Sequence, residues 1–307
     1  MSSDGSGRTA SLASDTEDKA GAGNDGLPPA PPGSQAPGRA TRWLARQARA
    51  VVPPLVVAVI VIGLWYLVSY VFLDPDRRFL LPPLHQVLSV GFGDPANRSD
   101  ILSGLDVTAA VSLVGLVAAI VIGTVFAVVM SQARSLERSL YPWAVVLQTI
   151  PILAIIPVIG FWFGYGYSAR LIVCVLISLF PITTNTLFGL RSADRAHRDL
   201  FRQRGANRWQ VLVKLELPGA LPSIFTGWRI SAGLSVIGSI VGDFFFQQGP
   251  VGLGRLINGY TQNLQSAQLF AAVIVASLLG LAVFWAFGLV AKLVVGPWHD
   301  SQQRPGE

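Results

Sequence analysis

Six long apolar runs constrain this chain more than anything else in it. They lie at roughly 52–73, 106–130, 141–163, 170–190, 221–246 and 268–295. Each reaches the roughly 20 residues that a helix needs to cross a hydrocarbon core about 30 Å thick. The reading that follows is an all-α polytopic membrane protein with six transmembrane helices. Composition agrees: 51% of the residues are apolar, only 13% are charged, and the mean hydropathy is +0.52. A soluble globule carries about 25% charged residues. Too few charges remain to coat a water-facing surface, which argues against a soluble enzyme and against a nucleic-acid partner.

The charges gather in the gaps between runs, and cations set orientation. If the N-terminus is cytoplasmic, fifteen Arg and Lys fall inside, from Arg39, Arg42, Arg46 and Arg49 to Lys292 and Arg304. Five fall outside: Arg77, Arg78, Arg98, Arg170 and Arg255. Both termini are therefore expected in the cytoplasm. Residues 1–41, rich in Gly, Ala, Ser, Pro and Asp, read as a disordered tail without a signal-peptide core. The membrane domain is expected over 42–298, and 299–307 as a C-terminal tail.

The candidate chemistry is sparse. Cys174 is the single cysteine, so no intrachain disulfide and no cysteine-based zinc site can form. His85, His197 and His299 are far apart, and no catalytic or metal-binding constellation is expected. None of the three lysines, Lys19, Lys214 and Lys292, is followed by Ser or Thr, so a Walker A phosphate loop is lacking.

The most informative stretch is the loop 191–218. Its spacing predicts two short helices. The first covers about Asp194–Arg204, and Gly205 suits its left-handed end. Asn207 caps the second, which presents Trp209, Leu212 and Val213 on one face and ends at Pro218. Such a hairpin is either packed on the protein's own spans or a docking element for a cytoplasmic partner; spacing alone leaves both open.

Asp199-Leu200-Phe201-x-x-x-Gly205 followed by Leu217-Pro218 resembles the loop of binding-protein-dependent ABC importer permeases. That family's pattern is Glu-Ala-Ala-x-x-x-Gly, then Leu-Pro at a set distance. Gly205-Ala206-Asn207-Arg208-Trp209 is similar to the usual continuation. The likeness extends over Pro82–Trp298. It is nearest to the nitrate, sulfonate, taurine and pyrimidine-precursor permeases, through Phe79–Pro83, Thr149-Ile150-Pro151, Phe163–Gly166, Gly227-Trp228-Arg229 and Gly252-Leu253-Gly254. Asp199, Leu200 and Phe201 depart from the pattern, whereas Gly205 and Leu217-Pro218 keep it.

The resemblance implies a permease subunit of an ATP-driven importer in the bacterial inner membrane. It works as a pair, a homodimer by expectation. A separate ATPase subunit, which binds the ATP and Mg, grips the loop at Asp199, Leu200, Phe201, Gly205, Ala206, Trp209, Leu217 and Pro218. An extracytoplasmic solute-binding protein is the third partner. The outer segments 74–105 and 247–267 would receive it, or else form a cap without a partner.

Inside the spans, Gly115, Ala119, Gly123 and Ala127 recur at every fourth position and predict close helix packing. Ser231, Ser235, Ser239 and Asp243 share one face of the fifth span. They read either as hydrogen-bonded helix contacts or as a wet face of the solute pathway. Gln148, Thr183 and Asn185 near the kinking Pro151, Pro157 and Pro181 are further pathway candidates. Arg229 reads as a cation snorkelling to the interface. A self-sufficient secondary transporter would need buried ionisable residues, and an integral membrane enzyme a convergent catalytic cluster; the sequence offers little for either.

Overall fold

The computed structural model describes residues 39–299, with side chains described over 51–294. The expectations for residues 1–38 and 300–307 lie outside the described residues. The chain divides into two units, Met1–Val59 and Ile60–Glu307. In the first, the described part is the start of helix α1 (Arg39–Leu67), which begins within the segment read as a tail. The second holds everything below.

Helix α1 runs on into a π-helical turn, Val68–Phe72. A short 3₁₀ turn, Pro75–Leu80, leads to α2 (Leu84–Gly93), α3 (Pro95–Ser131), α4 (Arg134–Thr149) and α5 (Ile152–Phe163). Then come α6 (Tyr167–Arg191), α7 (Arg195–Gln203), α8 (Arg208–Val211), α9 (Leu217–Phe245), α10 (Leu253–Gln262) and α11 (Ser266–His299). Among the described residues, five helical segments are long and apolar enough to cross a membrane: Val51–Phe72, Pro95–Ser131, Tyr167–Arg191, Arg208–Phe245 and Ser266–Val294.

The sixth expected span, 141–163, is not one straight helix. Helices α4 and α5 meet at 98°. Proline crowds the residue before it out of the helical region. Ile150 accordingly adopts φ −63°, ψ 123° ahead of Pro151, and the hydrogen-bond ladder stops there. The kink expected at Pro151 is therefore a full break.

The centre of the second unit is α6 packed between α3 and α9. Leu116 and Ala119 of α3, Ile182 of α6, and Ala232 and Val236 of α9 share one buried cluster. The small-residue stripe of α3 faces α6 as expected. A side chain on Gly115 would run into Cys174, and one on Gly123 into Ile182 and Thr183. Across the other interface, a Cβ on Gly238 would lie 2.8 Å from the Cα of Cys174. Backbone cannot yield as a side chain can. Gly238→Leu is therefore expected to destabilise by about 1–3 kcal/mol or more, the range for overpacking. Gly233→Leu, where a Cβ would meet nothing within 4 Å, should leave the melting temperature in detergent unchanged. Equal melting of the two variants would contradict this packing.

Outside that centre, Val117, Val121 and Val125 of α3 and Leu278, Leu281, Trp285 and Leu289 of α11 are exposed. Apolar surface this continuous needs a nonaqueous cover, and a lipid bilayer supplies it.

The second loop helix differs from expectation. Pro218 does not end it. Helix α8 passes through a π-helical turn, Leu212–Glu216, straight into α9, so that Arg208–Phe245 is one span of 38 residues. In the turn, the Leu217 N–H donates to the Leu212 carbonyl, five residues back. The extra residue of that turn shifts the ladder just ahead of Pro218, and Glu216 and Leu217 keep helical dihedrals into α9.

Candidate functional site

The loop 191–218 is a capped and braced hairpin. Asp194 caps α7, its carboxylate accepting from the Ala196 N–H at 3.0 Å. Gly205, at φ +74°, ends α7. Its N–H donates to the Arg202 carbonyl at 2.9 Å, and the Ala206 N–H donates to the Phe201 carbonyl at 3.0 Å. Positive φ is cheap only for glycine. Asn207 then opens α8 with a reciprocal capping box. Its side chain accepts from the Gln210 N–H at 2.8 Å, and the Gln210 side chain accepts from the Asn207 N–H at 2.9 Å.

Arginines brace this hairpin against the span ends. Arg198 places Nε 2.9 Å from Glu216 Oε1 and donates from Nη2 to the Leu190 carbonyl at 2.8 Å. Arg208 Nη1 donates to the Gln132 carbonyl at 2.7 Å. Arg191 pairs with Glu137, joining α6 to α4.

Among the exposed charged residues of the hairpin, two large apolar side chains also point outward. Leu200 is 46% exposed and Trp209 65% exposed. Phe201 and Ala206 are half-buried, and Asp199, Gly205 and Pro218 are exposed. The face expected for Trp209, Leu212 and Val213 is split. Leu212 turns inward onto Leu190, Ala220 and Ile224, with half-buried Leu217 beside it, while Trp209 and Val213 stay outside.

At the far end of α9 lies a buried ion pair. Arg170 Nη1 stands 2.7 Å from Asp243 Oδ1, with the side chains 1% and 3% exposed. The same guanidinium donates to the carbonyls of Pro250 (2.9 Å), Phe246 (3.0 Å) and Gln248 (2.7 Å). Asp243 Oδ2 accepts from the Arg255 N–H at 2.8 Å. One pair thus ties α6, α9, the turn 246–252 and the first residues of α10. Arg170 is consequently no loop cation: five less this one leaves four outside in the orientation count.

The stripe on α9 is not a wet face of this chain. Ser231, Ser235, Ser239 and Asp243 are all buried. Ser231 Oγ donates to the Ser178 carbonyl at 2.8 Å, joining α9 to α6. Ser235 Oγ donates to the Ala232 carbonyl, and its own carbonyl accepts from Cys174 Sγ at 3.3 Å. Ser239 Oγ donates to the Thr108 carbonyl at 3.2 Å, and Thr108 Oγ1 accepts from the Leu253 N–H at 2.9 Å. Their four-residue spacing turns them toward α6 and α3, so the helix-contact alternative describes them.

The remaining pathway candidates are not brought together. Gln148 is exposed on α4. Thr183 is buried toward α3, its Oγ1 donating to the Leu179 carbonyl at 2.9 Å. Asn185 faces Gly227, with Nδ2 donating to the Pro181 carbonyl at 2.8 Å. Both of these bonds run one turn back along α6 itself. Arg229 lies 4.1 Å over the Phe284 ring on α11 rather than reaching straight for an interface.

Residues 89–296 match the family described as binding-protein-dependent transport system inner membrane component. The chain belongs to this family. It is a permease of an ABC transporter, an inner-membrane component, and the family lacks ATPase activity. Over 206 residues the permease is 35% identical to the formylaminopyrimidine transport permease protein ThiX of Halalkalibacterium halodurans, covering 67% of this chain and 81% of that one. It is 27% identical over 267 residues to the taurine transport system permease protein TauC of Escherichia coli, covering 85% and 94%. A crystal structure of an amino acid ABC transporter with histidines superposes with a TM-score of 0.50 at 16% identity, over 65% of the permease and 94% of that chain. At that identity the likeness concerns the fold alone. Membership implies an ATPase subunit and a solute-binding protein as partners of the permease.

Sequence reasoning missed the Arg170 pairing and the bracing roles of Arg198 and Arg208. An arginine just inside a predicted span, with an acid just inside the end of another, was the one available signal for the first. Nothing local marked the braces.

Proposed function

We propose that two identical copies of this permease form the solute pathway of an ATP-driven importer, with both termini in the cytoplasm. The loop 191–218 is worked by a separate ATPase that binds ATP and Mg, and an extracytoplasmic binding protein delivers solute to the opposite face. The observation that carries this reading is the continuity of Arg208–Phe245. At 1.5 Å per residue it is a rod about 57 Å long. One end carries the exposed Trp209, and the other carries the ion pair that organises the turn 246–252. A push on the hairpin is delivered to the far turn because the braces leave the hairpin little freedom to move alone. Rocking of such a rod together with α3 and α6, against the second copy, is a rigid-body route between inward-open and outward-open states.

The solute belongs to the small organic or inorganic anions, such as sulfonate, nitrate or taurine, or to the pyrimidine and thiamine precursors. The likenesses to taurine and formylaminopyrimidine permeases support both classes. The test is reconstitution. Vesicles holding the permease alone should take up none of these solutes, with or without an ion gradient. Adding the ATPase, the binding protein and ATP should start uptake. Gradient-driven uptake by the permease alone would overturn the reading in favour of a secondary transporter.

A further inference from the structure

We propose that the loop 191–218 and the span ends enclose a binding site for a phosphate-bearing anion, either a lipid headgroup or a free polyphosphate. A cavity of 590 Å³ lies there, lined by Arg134, Arg191, Arg195, Arg198, Arg202 and Arg208. Its volume is within the roughly 300–1,000 Å³ of small-molecule sites. Against these six cations the lining holds one carboxylate, Glu216, which Arg198 engages. Arg191 is engaged by Glu137, and Arg202 reaches Asp199 only at 3.7 Å in an exposed pair. Among the described residues, Arg134 and Arg195 have no ion-pair partner. Arg208 spends one of its donors on the Gln132 carbonyl and keeps the rest.

All of the six but Arg198 are exposed, so water screens part of their mutual repulsion, and a multivalent anion in the hollow would relieve the rest. Orientation calls for cations on the cytoplasmic side, but not for their gathering around one hollow. The hairpin is already held by its caps and by two braces. Geometry also selects the anion. A guanidinium is a planar fork that matches phosphate oxygens two at a time. A tetrahedral anion with several charged oxygens can engage three or four forks at once, whereas a carboxylate engages one or two. The braces hold Arg198 and Arg208 in place beforehand, so little side-chain freedom is lost on binding.

The lining comes from two parts of the molecule. Arg195, Arg198, Arg202 and Arg208 belong to the hairpin, and Arg134 and Arg191 to the span ends. An occupant therefore bridges hairpin and spans, and sets how stiffly the one follows the other. The site lies beside Ser131 and Leu190, at the ends of α3 and α6, a depth that suits a lipid headgroup and is open to a soluble phosphate as well.

The test uses the full chain without its partners, so its outcome is independent of whether an ATPase docks on the hairpin. One arm measures by native mass spectrometry the retention of phosphatidylglycerol against phosphatidylcholine. The other titrates inorganic pyrophosphate by calorimetry into permease held in discs of phosphatidylcholine alone. Arg134→Gln with Arg195→Gln removes two forks that hold nothing else in the described structure. Each charge-assisted bond lost should weaken binding about tenfold, about 100-fold for the pair. Arg134→Lys with Arg195→Lys, which keeps charge but not the fork, should fall between. Retention of phosphatidylglycerol that the double variant loses would identify the lipid. Pyrophosphate binding that it loses would identify a soluble phosphate. Binding in neither arm, or equal binding by parent and Gln variant, would overturn the proposal.

Discussion

Asp243→Leu should unfold this permease more readily than any other single change considered. It leaves the Arg170 guanidinium charged, 1% exposed and without its counter-ion. Removing one partner of a buried pair costs about 3–5 kcal/mol, because the survivor cannot recover its hydration. The melting temperature in detergent should drop accordingly, and the turn 246–252 should become susceptible to protease. Arg170→Leu together with Asp243→Leu separates stability from order. With no charge left to desolvate, much of the lost stability should return. The turn should stay disordered, because the carbonyls of Phe246, Gln248 and Pro250 have lost their common donor. Transport by the reconstituted complex should then remain low despite a recovered melting temperature. Equal stability of Asp243→Leu and the parent would mean that the pair is not the lock described here.

The second large effect is expected at the hairpin, with the opposite signature. Leu200→Asp and Trp209→Asp alter side chains that are 46% and 65% exposed, so the permease should melt as the parent does. Co-purification with the ATPase should be lost. Large apolar anchors at the centre of an interface are worth about 2–4 kcal/mol, which is about 30- to 1,000-fold in Kd. Gly205→Val should act in the same direction through shape. A β-branched residue is strained at φ +74°, and the α7–α8 corner would open. An ATPase that co-purifies undiminished with Leu200→Asp and Trp209→Asp would remove the hairpin from the coupling interface.

Much of the architecture could be read from the chain because lipid imposes a coarse rule. A spanning segment must be long and apolar, and composition and length show both. The runs around α3, α6, α9 and α11 were located within a turn or two at their inner boundaries. The cap at Asn207 and the glycine end at Gly205 were legible as well, because they rest on contacts within a few residues. The break at Ile150-Pro151 was legible in kind but not in degree: a proline announces a kink, while the angle depends on what the two halves pack against. Pro218 misled for a related reason. Proline is a stop signal in an α-helical ladder, and the π-turn at Leu212–Glu216 changed the ladder before the proline was reached.

What the sequence determined alone was the set of membrane-crossing segments, the capped hairpin and the family pattern around it, all local in the chain. What only the tertiary structure decided was who faces whom. The spacing of Ser231, Ser235, Ser239 and Asp243 put them on one side of a helix but did not say whether water or α6 lay opposite. Arg170 could not be recognised as the partner of Asp243, nor six arginines as the wall of one cavity. Periodicity along one helix fixes a direction only relative to that helix, and the neighbour it meets is chosen by the packing of the whole chain.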